Sequence, residues 1–310
     1  MPIIKRAKWN DDMRFFEEIP HYIPPLFRPP SEARSLIFQV TYGCSHDTCT
    51  FCRMYSTKPF RKRKEEEVLK EFEMCAPLYP RTRRIFLADG DAMALSTRVL
   101  VLYLEKLYEL FPNLERVSAY ACPQNLLRKK MEDLERIRKS GLKLLYVGIE
   151  SGSDEVLERV KKGVNAKEIV EACNKAKDAG FMTSVTVILG LGGPELSEEH
   201  AKETGKVLTL SRPDYIGALT LMLHEGNADF AEKFGRFWRP LTIEETLIEE
   251  KNLLLNIECD ECEFRSNHAS NWLAIGGRLQ KDRKEMIELI DRVLEDPSMG
   301  LIRPDWMRAL

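Results

Sequence analysis

The chain has 310 residues, with 47 basic and 49 acidic side chains and a formal net charge of −2. This balance excludes a protein that binds nucleic acid or an anionic membrane through bulk positive charge, and it excludes an acidic tail protein. With 44% hydrophobic residues, a chain of this length can bury a core that needs no disulfides.

The sequence shows no signal for export or membrane insertion. It has no apolar run long enough to span a bilayer, and residues 1–10 lack the apolar stretch and cleavage site of a secretory signal. Eight cysteines in such a chain are typical of reduced cytoplasmic thiols that act as metal ligands, catalysts or buried small hydrophobes. We therefore predict a cytoplasmic protein without membrane contact, and abundant Glu, Lys and Arg beside rare Gln favours a thermophilic source.

Residues 1–35 contain two clusters of aromatic residues and prolines that forbid a long helix, so we predict an extended N-terminal arm. From residue 36, short apolar runs alternate with charged amphipathic stretches, which is typical of βα units around a parallel sheet. The predicted strands cover residues 36–42, 84–88, 116–121, 142–149, 183–189 and 215–222. The predicted helices cover residues 64–77, 97–110, 126–139, 154–162, 167–178 and 198–210.

Capping residues predict where several of these helices begin. Asn165 with Glu168 matches a capping box, and Ser197 is expected to cap the helix that follows it. Six βα units in series wind an open sheet or curl into a barrel, because parallel strands need right-handed helical crossovers. Either architecture places ligands at the carboxyl ends of the strands.

The βα alternation ends near residue 225. Thr242 with Glu245 is expected to open a helix that runs to about residue 257. A loop over 259–277 and a last helix over about 281–295 are predicted to follow. Residues 226–310 are thus interpreted as a C-terminal helical cap.

The sharpest motif follows the first predicted strand, where Cys44, Cys49 and Cys52 lie within nine residues. A compact cysteine loop can hold one soft metal centre, and three thiolates on a cubane [4Fe–4S] cluster leave one iron open to an exogenous ligand. The triplet alone also fits a structural zinc site with His46 as the fourth ligand.

The loop and the segments after it resemble the radical S-adenosylmethionine (radical SAM) superfamily. Phe51 stands where that family usually carries an aromatic or hydrophobic residue near the adenine of the cofactor. Asp89, Gly90 and Asp91 stand in place of a Gly-Gly-Glu-like turn whose backbone holds the amino group of the cofactor. Gly90 matches that turn, and Asp91 replaces the glutamate.

The segment from Tyr146 to Leu157 resembles the fourth strand of the branch that contains Elongator's catalytic subunit, methylthiotransferases and oxygen-independent coproporphyrinogen oxidases. The resemblance assigns Glu150 and Ser151 to the ribose or methionine part of the cofactor. It assigns Lys162, on the following helix, to the cofactor carboxylate, and Thr186 to a polar cofactor contact.

One departure from the family is the spacing of the first two cysteines. Four residues separate Cys44 from Cys49, whereas the family usually has three. This spacing indicates a distinct subfamily, with a resemblance that covers about residues 36–225.

The resemblance implies an α/β fold with a partial (β/α)6 TIM-like barrel over residues 36–225, between the arm and the cap. It further implies one [4Fe–4S] cluster on the three cysteines, S-adenosylmethionine at the open iron, and a low-potential electron donor. Reductive cleavage of the cofactor would give methionine and a 5′-deoxyadenosyl radical. An oxidoreductase-like enzyme of this kind abstracts hydrogen from a substrate that the sequence does not identify.

Two other segments are candidates for substrate binding. Residues 53–64 hold six basic and no acidic side chains, which indicates either an anionic substrate or a solvated charged surface. RNA as a partner remains open there but is not favoured. The polar residues Arg265, Asn267, His268 and Asn271 would suit a lid over the barrel mouth, or an ordinary surface loop.

Cys259 and Cys262 form a lone Cys-x-x-Cys pair that offers only two ligands, so a second cluster is not predicted there.

Two alternative functions are non-catalytic. A zinc- or cluster-binding module could dock RNA or another anionic partner through residues 61–64. An electron-transfer protein would need a fourth protein ligand, which the loop does not supply.

Overall fold

The computed structural model describes residues 20–223, 229–235, 237–259 and 261–309. The strands are β1 (Leu36–Gln39), β2 (Thr41–Tyr42), β3 (Arg61–Lys62), β4 (Arg84–Ala88), β5 (Arg116–Ala121), β6 (Leu142–Glu150), β7 (Met182–Leu189), β8 (Tyr215–Thr220), β9 (Glu263–Ser266) and β10 (Ile275–Arg278). The α-helices are α1 (Glu65–Cys75), α2 (Thr97–Leu110), α3 (Pro123–Arg128), α4 (Met131–Lys139), α5 (Asp154–Arg159), α6 (Ala166–Asp178), α7 (Gly193–Ser211), α8 (Phe230–Phe234), α9 (Ile243–Leu255) and α10 (Leu279–Glu295). Within these ranges, no helix has the length and apolarity that a membrane span requires.

Eight strands form one sheet in the order β1-β4-β5-β6-β7-β8-β9-β10, while β2 and β3 form a separate ribbon. Neighbouring strands from β1 to β9 are parallel, and β10 runs antiparallel to β9. In the described part of the chain no pairing joins β1 to β10. The predicted α/β fold with an open, partial barrel is therefore confirmed.

The two faces of the sheet have different surroundings. Along β7, buried Val185, Val187 and Leu189 alternate with half-buried Ser184 and Thr186, as the two-residue period of a strand requires. The buried set belongs to the main hydrophobic core. The other set faces the concave side, which is left for ligands.

Aromatic side chains close the amino-terminal end of the concave side. Phe86, Tyr120 and Tyr146 meet edge to face, with centroids 5.1–6.1 Å apart. Below them the buried Glu32 carboxylate accepts hydrogen bonds from Tyr146 Oη (2.7 Å) and Arg116 (2.6 Å). Glu32 and its neighbours in the predicted arm thus contact the end of the barrel opposite the cysteine loop. Earlier in the arm, Ile23 O and Pro25 O accept from Lys58 Nζ, and Phe27 packs edge to face on Tyr55. Residues 1–19 lie outside the described ranges.

The predicted loop over 259–277 is wrong, because β9 and β10 extend the sheet there. In β9, buried Phe264 and Ser266 alternate with half-buried Glu263 and exposed Arg265. Because β9 carries polar residues on both faces, its alternation of buried and exposed positions does not show as a hydrophobic pattern in the sequence. Residues 229–309 therefore add both strands and helices, and the boundary at 225/226 lies outside the described ranges.

Three local predictions also need correction. The helix predicted over 126–139 is two helices, because Lys129 and Lys130 are extended (ψ 144° and 157°). Ser197 lies inside α7, which begins at Gly193, and its Oγ donates to Glu249 (2.6 Å). Lys162 follows α5 rather than lying on it. The capping boxes at Asn165 and Thr242 are confirmed.

Candidate active site at the open end of the partial barrel

The cysteine loop begins where β2 ends. Cys44, Cys49 and Cys52 are free, half-buried thiols. Gly43 N donates to Asp89 Oδ2 (3.0 Å) and Gly43 O accepts from Gly90 N (3.0 Å). Gly43 has φ +69°, and a Cβ there would lie 2.3 Å from Lys58 O, so only glycine fits this turn.

The far side of the loop rests on the turn after α5. His46 Nε2 lies 2.9 Å from Lys161 O, and Thr50 N donates to Val160 O (3.0 Å). Gly163 has φ +72°, and a Cβ there would lie 2.5 Å from the His46 ring. The four-residue spacer between Cys44 and Cys49 is thus accommodated by packing His46 on this turn, which carries Lys162.

The turn after β4 braces the loop through buried carboxylates. Asp89, fully buried, lies 2.7 Å from Lys58 Nζ and accepts from Gln39 Nε2 (2.9 Å). Asp91, also fully buried, accepts from Ser45 Oγ, Asn125 Nδ2 and Cys122 N. Burial raises the pKa of Asp91, and these hydrogen bonds oppose the shift.

Between these two carboxylates, Gly90 brings its backbone close to the cysteine loop. A Cβ on Gly90 would lie 2.9 Å from Cys44 Cβ and 2.8 Å from the Tyr55 ring, closer than real Cβ contacts come. The Asp89 and Asp91 side chains are engaged within the protein, and Gly90 N donates to Gly43 O. The candidate ligand contact at this turn is therefore the Gly90 carbonyl.

Glu150 and Lys162 form a buried ion pair at the end of β6, with Nζ 2.9 Å from Oε1. Glu150 has φ +66°, an uncommon conformation for a residue with a side chain. Burial alone would lower the pKa of Lys162, but Glu150 and Cys49 outweigh it and leave the pKa raised. A fixed positive charge therefore faces both the carboxylate and the cysteine loop.

The remaining predicted cofactor residues differ in placement. Ser151 is fully buried and bonds His200 Nδ1 (2.8 Å), so its hydroxyl points away from the open end. Thr186 is half-buried on the concave face of β7, beside Gly148 and Gly217. Phe51 packs against an apolar cluster that includes Trp238.

The predicted lid residues separate into two groups. Asn271 is buried and braces the end of β8, accepting from Thr220 N (2.6 Å) and donating to Ala218 O (2.8 Å). His268 contacts Ser270; burial lowers its pKa. Arg265 and Asn267 are exposed, and Arg265 pairs in register with Gly217 on the concave face.

Sequence reasoning missed two roles in this region. Cys122, at the end of β5, places its Sγ 3.8 Å from Cys44 Sγ. Lys58 is buried (6% exposed) against Asp89, although it belongs to a stretch that reads as solvated basic surface. Its position within that run carries no sequence signal of burial.

The donor set fits an iron–sulfur cluster. Burial raises the pKa of the Cys49 thiol to about 12, so a bound metal must supply the positive charge that keeps it a thiolate. Across the described ranges, no group of three or more His, Cys, Asp and Glu side chains converges on one metal-ion position. A cubane [4Fe–4S] cluster does not require its ligands to converge on one position, because each cysteine binds a different iron.

An open α/β barrel with a cysteine loop at the carboxyl end of its first strand defines a class of iron–sulfur proteins. The family model for the radical SAM superfamily matches residues 38–208, more than half of the chain. The chain belongs to this superfamily. Membership implies a [4Fe–4S] cluster and S-adenosylmethionine as the groups that the site holds.

Relatives fit this assignment. A Methanocaldococcus jannaschii protein named as a methylthiotransferase is 31% identical over 156 residues, covering 47% of this chain and 33% of that protein. The ribosomal protein uS12 methylthiotransferase RimO of Thermoanaerobacter sp. (strain X514) is 22% identical over 203 residues, covering 63% of this chain and 45% of RimO. The chain thus spans a third to a half of the length of these curated relatives.

A solved structure supports the fold. Coproporphyrinogen III oxidase (HemN) from Escherichia coli, a radical SAM enzyme, superposes with a TM-score of 0.53 at 19% identity. The superposition covers 71% of this chain and 50% of that one.

Proposed function

We propose that this protein is a radical SAM enzyme that abstracts a hydrogen atom from a substrate held on the concave face of the barrel. The observation that carries the proposal is the convergence of three segments at neighbouring strand ends. These are the cysteine loop, the turn centred on Gly90, and the Glu150–Lys162 pair. When bound, a reduced [4Fe–4S] cluster supplies the electron that cleaves S-adenosylmethionine to a 5′-deoxyadenosyl radical.

The residues of this chain bind and orient. Cys44, Cys49 and Cys52 hold the cluster, and the backbone at Gly90 receives the amino group of the cofactor. The Lys162 ammonium has three donors and gives one to Glu150 (2.9 Å), so it can also pair with the carboxylate of the cofactor beside the cysteine loop. Phe51 and Thr186 contact the adenosine part.

Ser151 contributes indirectly to this site. Its hydroxyl is held by His200, so it fixes the backbone next to Glu150. Asp89 and Asp91 likewise act by bracing the cysteine loop.

The substrate would lie on the concave face, which carries small and polar residues such as Gly217 and Thr186 on neighbouring strands. The aromatic floor of Phe86, Tyr120 and Tyr146 closes the opposite end, which keeps water from a reactive radical. Substrate orientation on this face decides which hydrogen atom is transferred.

We further propose that the chain divides into two regions. Residues 36–225 form the radical SAM core, and residues 226–310 form the substrate region. The observation in support is β9, which extends the concave wall and places Arg265 beside Gly217.

The basic residues within 53–64 support the proposal of an anionic partner. Lys58 and Arg63 are buried against Asp89 and Glu71, so they are not available to a partner. The exposed basic residues nearby define a basic rim: Arg61, Lys62, Lys64, Arg128 and Lys130. The rim flanks the cysteine loop, since β3 pairs with β2 and Asn125 of α3 bonds Ser45.

The rim is tested by charge reversal. We expect Lys62→Glu with Lys130→Glu to lower the salt concentration that elutes the protein from heparin, because fewer counterions are released. Lys281→Glu with Lys284→Glu on α10 is the control with the same change in net charge. Equal shifts in the two variants would remove the rim from the proposal, and binding of a labelled RNA oligomer shows whether RNA is the partner.

The function is tested by anaerobic reconstitution with iron and sulfide. The reduced EPR spectrum is recorded with and without S-adenosylmethionine, and 5′-deoxyadenosine is assayed. Cys49→Ala is expected to abolish both signals. Cys173→Ala is the matched control, because Cys173 is a buried thiol on α6, outside the site.

A spectrum perturbed by the cofactor, with deoxyadenosine from the unmutated protein and the Cys173 variant alone, supports the proposal. Bound zinc, or a cluster indifferent to the cofactor with no deoxyadenosine, favours the non-catalytic binding module instead.

A further inference from the structure

Cys122 is a fourth cysteine at the cluster end of the barrel. It follows β5 directly, and Pro123 begins α3 one residue later. Its backbone N donates to Asp91 Oδ1 (3.3 Å), so the same carboxylate that braces Ser45 also fixes the position of Cys122. Its Sγ lies 3.8 Å from Cys44 Sγ.

The direction of the sulfur–sulfur hydrogen bond follows from the chemistry of the site. Either sulfur could donate in a pair of free thiols. A cysteine that binds iron does so as a thiolate, which has no proton to give. With Cys44 bound to the cluster, Cys122 is the donor.

Cys122 stands beside the proposed cluster-binding cysteine without belonging to the cysteine loop, and its sulfur lies at hydrogen-bonding distance from Cys44 Sγ. An ordinary cysteine carries its proton at neutral pH. The contact is therefore S–H to thiolate.

We propose that Cys122 is a positioning residue that donates its S–H to the cluster-ligating sulfur of Cys44 and makes the cluster easier to reduce. Reduction adds negative charge to the cluster and its sulfurs, and a donor stabilises that charge. Hydrogen bonds to sulfur are among the features that set cluster potentials. This inference rests on the proposed function, because it requires a cluster at Cys44.

The experiment is an EPR-monitored redox titration of the reconstituted protein without S-adenosylmethionine. Cys122→Val removes the donor at similar side-chain volume, and Cys122→Ser replaces it by an O–H donor. Cys173→Val is the control at a buried cysteine away from the site.

In Cys122→Val we expect the ratio of reduced to oxidised cluster at a fixed ambient potential to fall about three- to tenfold. Tenfold corresponds to about 59 mV for a one-electron couple. Cys122→Ser and Cys173→Val are expected to stay within about twofold of the unmutated protein, since the first retains a donor and the second is remote.

An unchanged potential in Cys122→Val overturns the inference, and equal shifts in the Val and Ser variants assign the effect to packing instead. If the Val variant holds no cluster, Cys122→Ala takes its place in the same comparison. If neither the Val nor the Ala variant holds a cluster, but Cys122→Ser does, then Cys122 is required for cluster assembly. That result overturns the tuning role. An unmutated protein that assembles no EPR-active cluster overturns the proposed function itself.

Discussion

Substitution of Asp89 tests how the cysteine loop is held in place. Asp89→Ala would leave the Lys58 ammonium, only 6% exposed, without its carboxylate. Removing one member of a buried ion pair costs about 3–5 kcal/mol, because the remaining charge stays buried. Gly43 N and Gln39 Nε2 lose their acceptor as well, and Gly43 directly precedes Cys44.

We expect Asp89→Ala to lower the free energy of unfolding of the apoprotein by about 3–5 kcal/mol in urea denaturation. The iron content after reconstitution should fall with it. Lys58→Met added to Asp89→Ala removes the unpaired charge, so the double variant is expected to be more stable than the sum of the two single losses predicts.

The exposed Arg83–Glu115 pair is the matched control, because solvent screens an exposed ion pair and its loss costs little stability. A loss in Asp89→Ala no larger than that in Glu115→Ala, with full iron content, would refute the bracing role. So would additive effects of the Asp89 and Lys58 substitutions.

Three further predictions concern the site and the core behind it. Gly90→Ala is expected to reduce cluster loading measured as bound iron, because its Cβ would lie 2.9 Å from Cys44 Cβ, whereas Gly217→Ala, with 3.8 Å of clearance, should load normally. Lys162→Met is expected to weaken S-adenosylmethionine binding about tenfold or more in equilibrium dialysis at unchanged iron content, since a buried charge partner is lost; unchanged affinity would contradict the pairing. Burial raises the pKa of Glu250 from 4.5 to about 8, so its contribution to stability is present below about pH 4.5 and lost as pH rises through 8. Glu250→Gln should therefore gain stability relative to the unmutated protein across that interval in urea denaturation, and a difference independent of pH would contradict it.

The βα core could be predicted from the sequence because its strands are apolar and its helices amphipathic. The strands over 84–88 and 116–121 match the structure at both ends. β9 escaped prediction because a strand of four residues with polar side chains on both faces has no apolar alternation to detect. Its partner β8 supplies the pairing, and pairing partners distant in sequence leave no local pattern.

The candidate site could be located from sequence, but the direction of its side chains could not. Glu150 and Ser151 were expected to face the cofactor together. The left-handed φ of Glu150 and the register shift between β6 and β7 at this point break the alternation of the strand. Ser151 consequently turns to His200, while Glu150 turns to Lys162.

Asp89, Asp91 and Glu150 could be assigned as cofactor ligands because they lie near the cysteine loop, yet the structure gives each of the three a protein partner. The Asp91 carboxylate already accepts from Ser45, Asn125 and the backbone of Cys122. A carboxylate with this many donors has little remaining capacity for the amino group of a cofactor. The backbone at Gly90 is the part of the turn without a Cβ beside Cys44. We therefore propose that recognition at this turn falls to main-chain atoms, with the aspartates determining where those atoms lie.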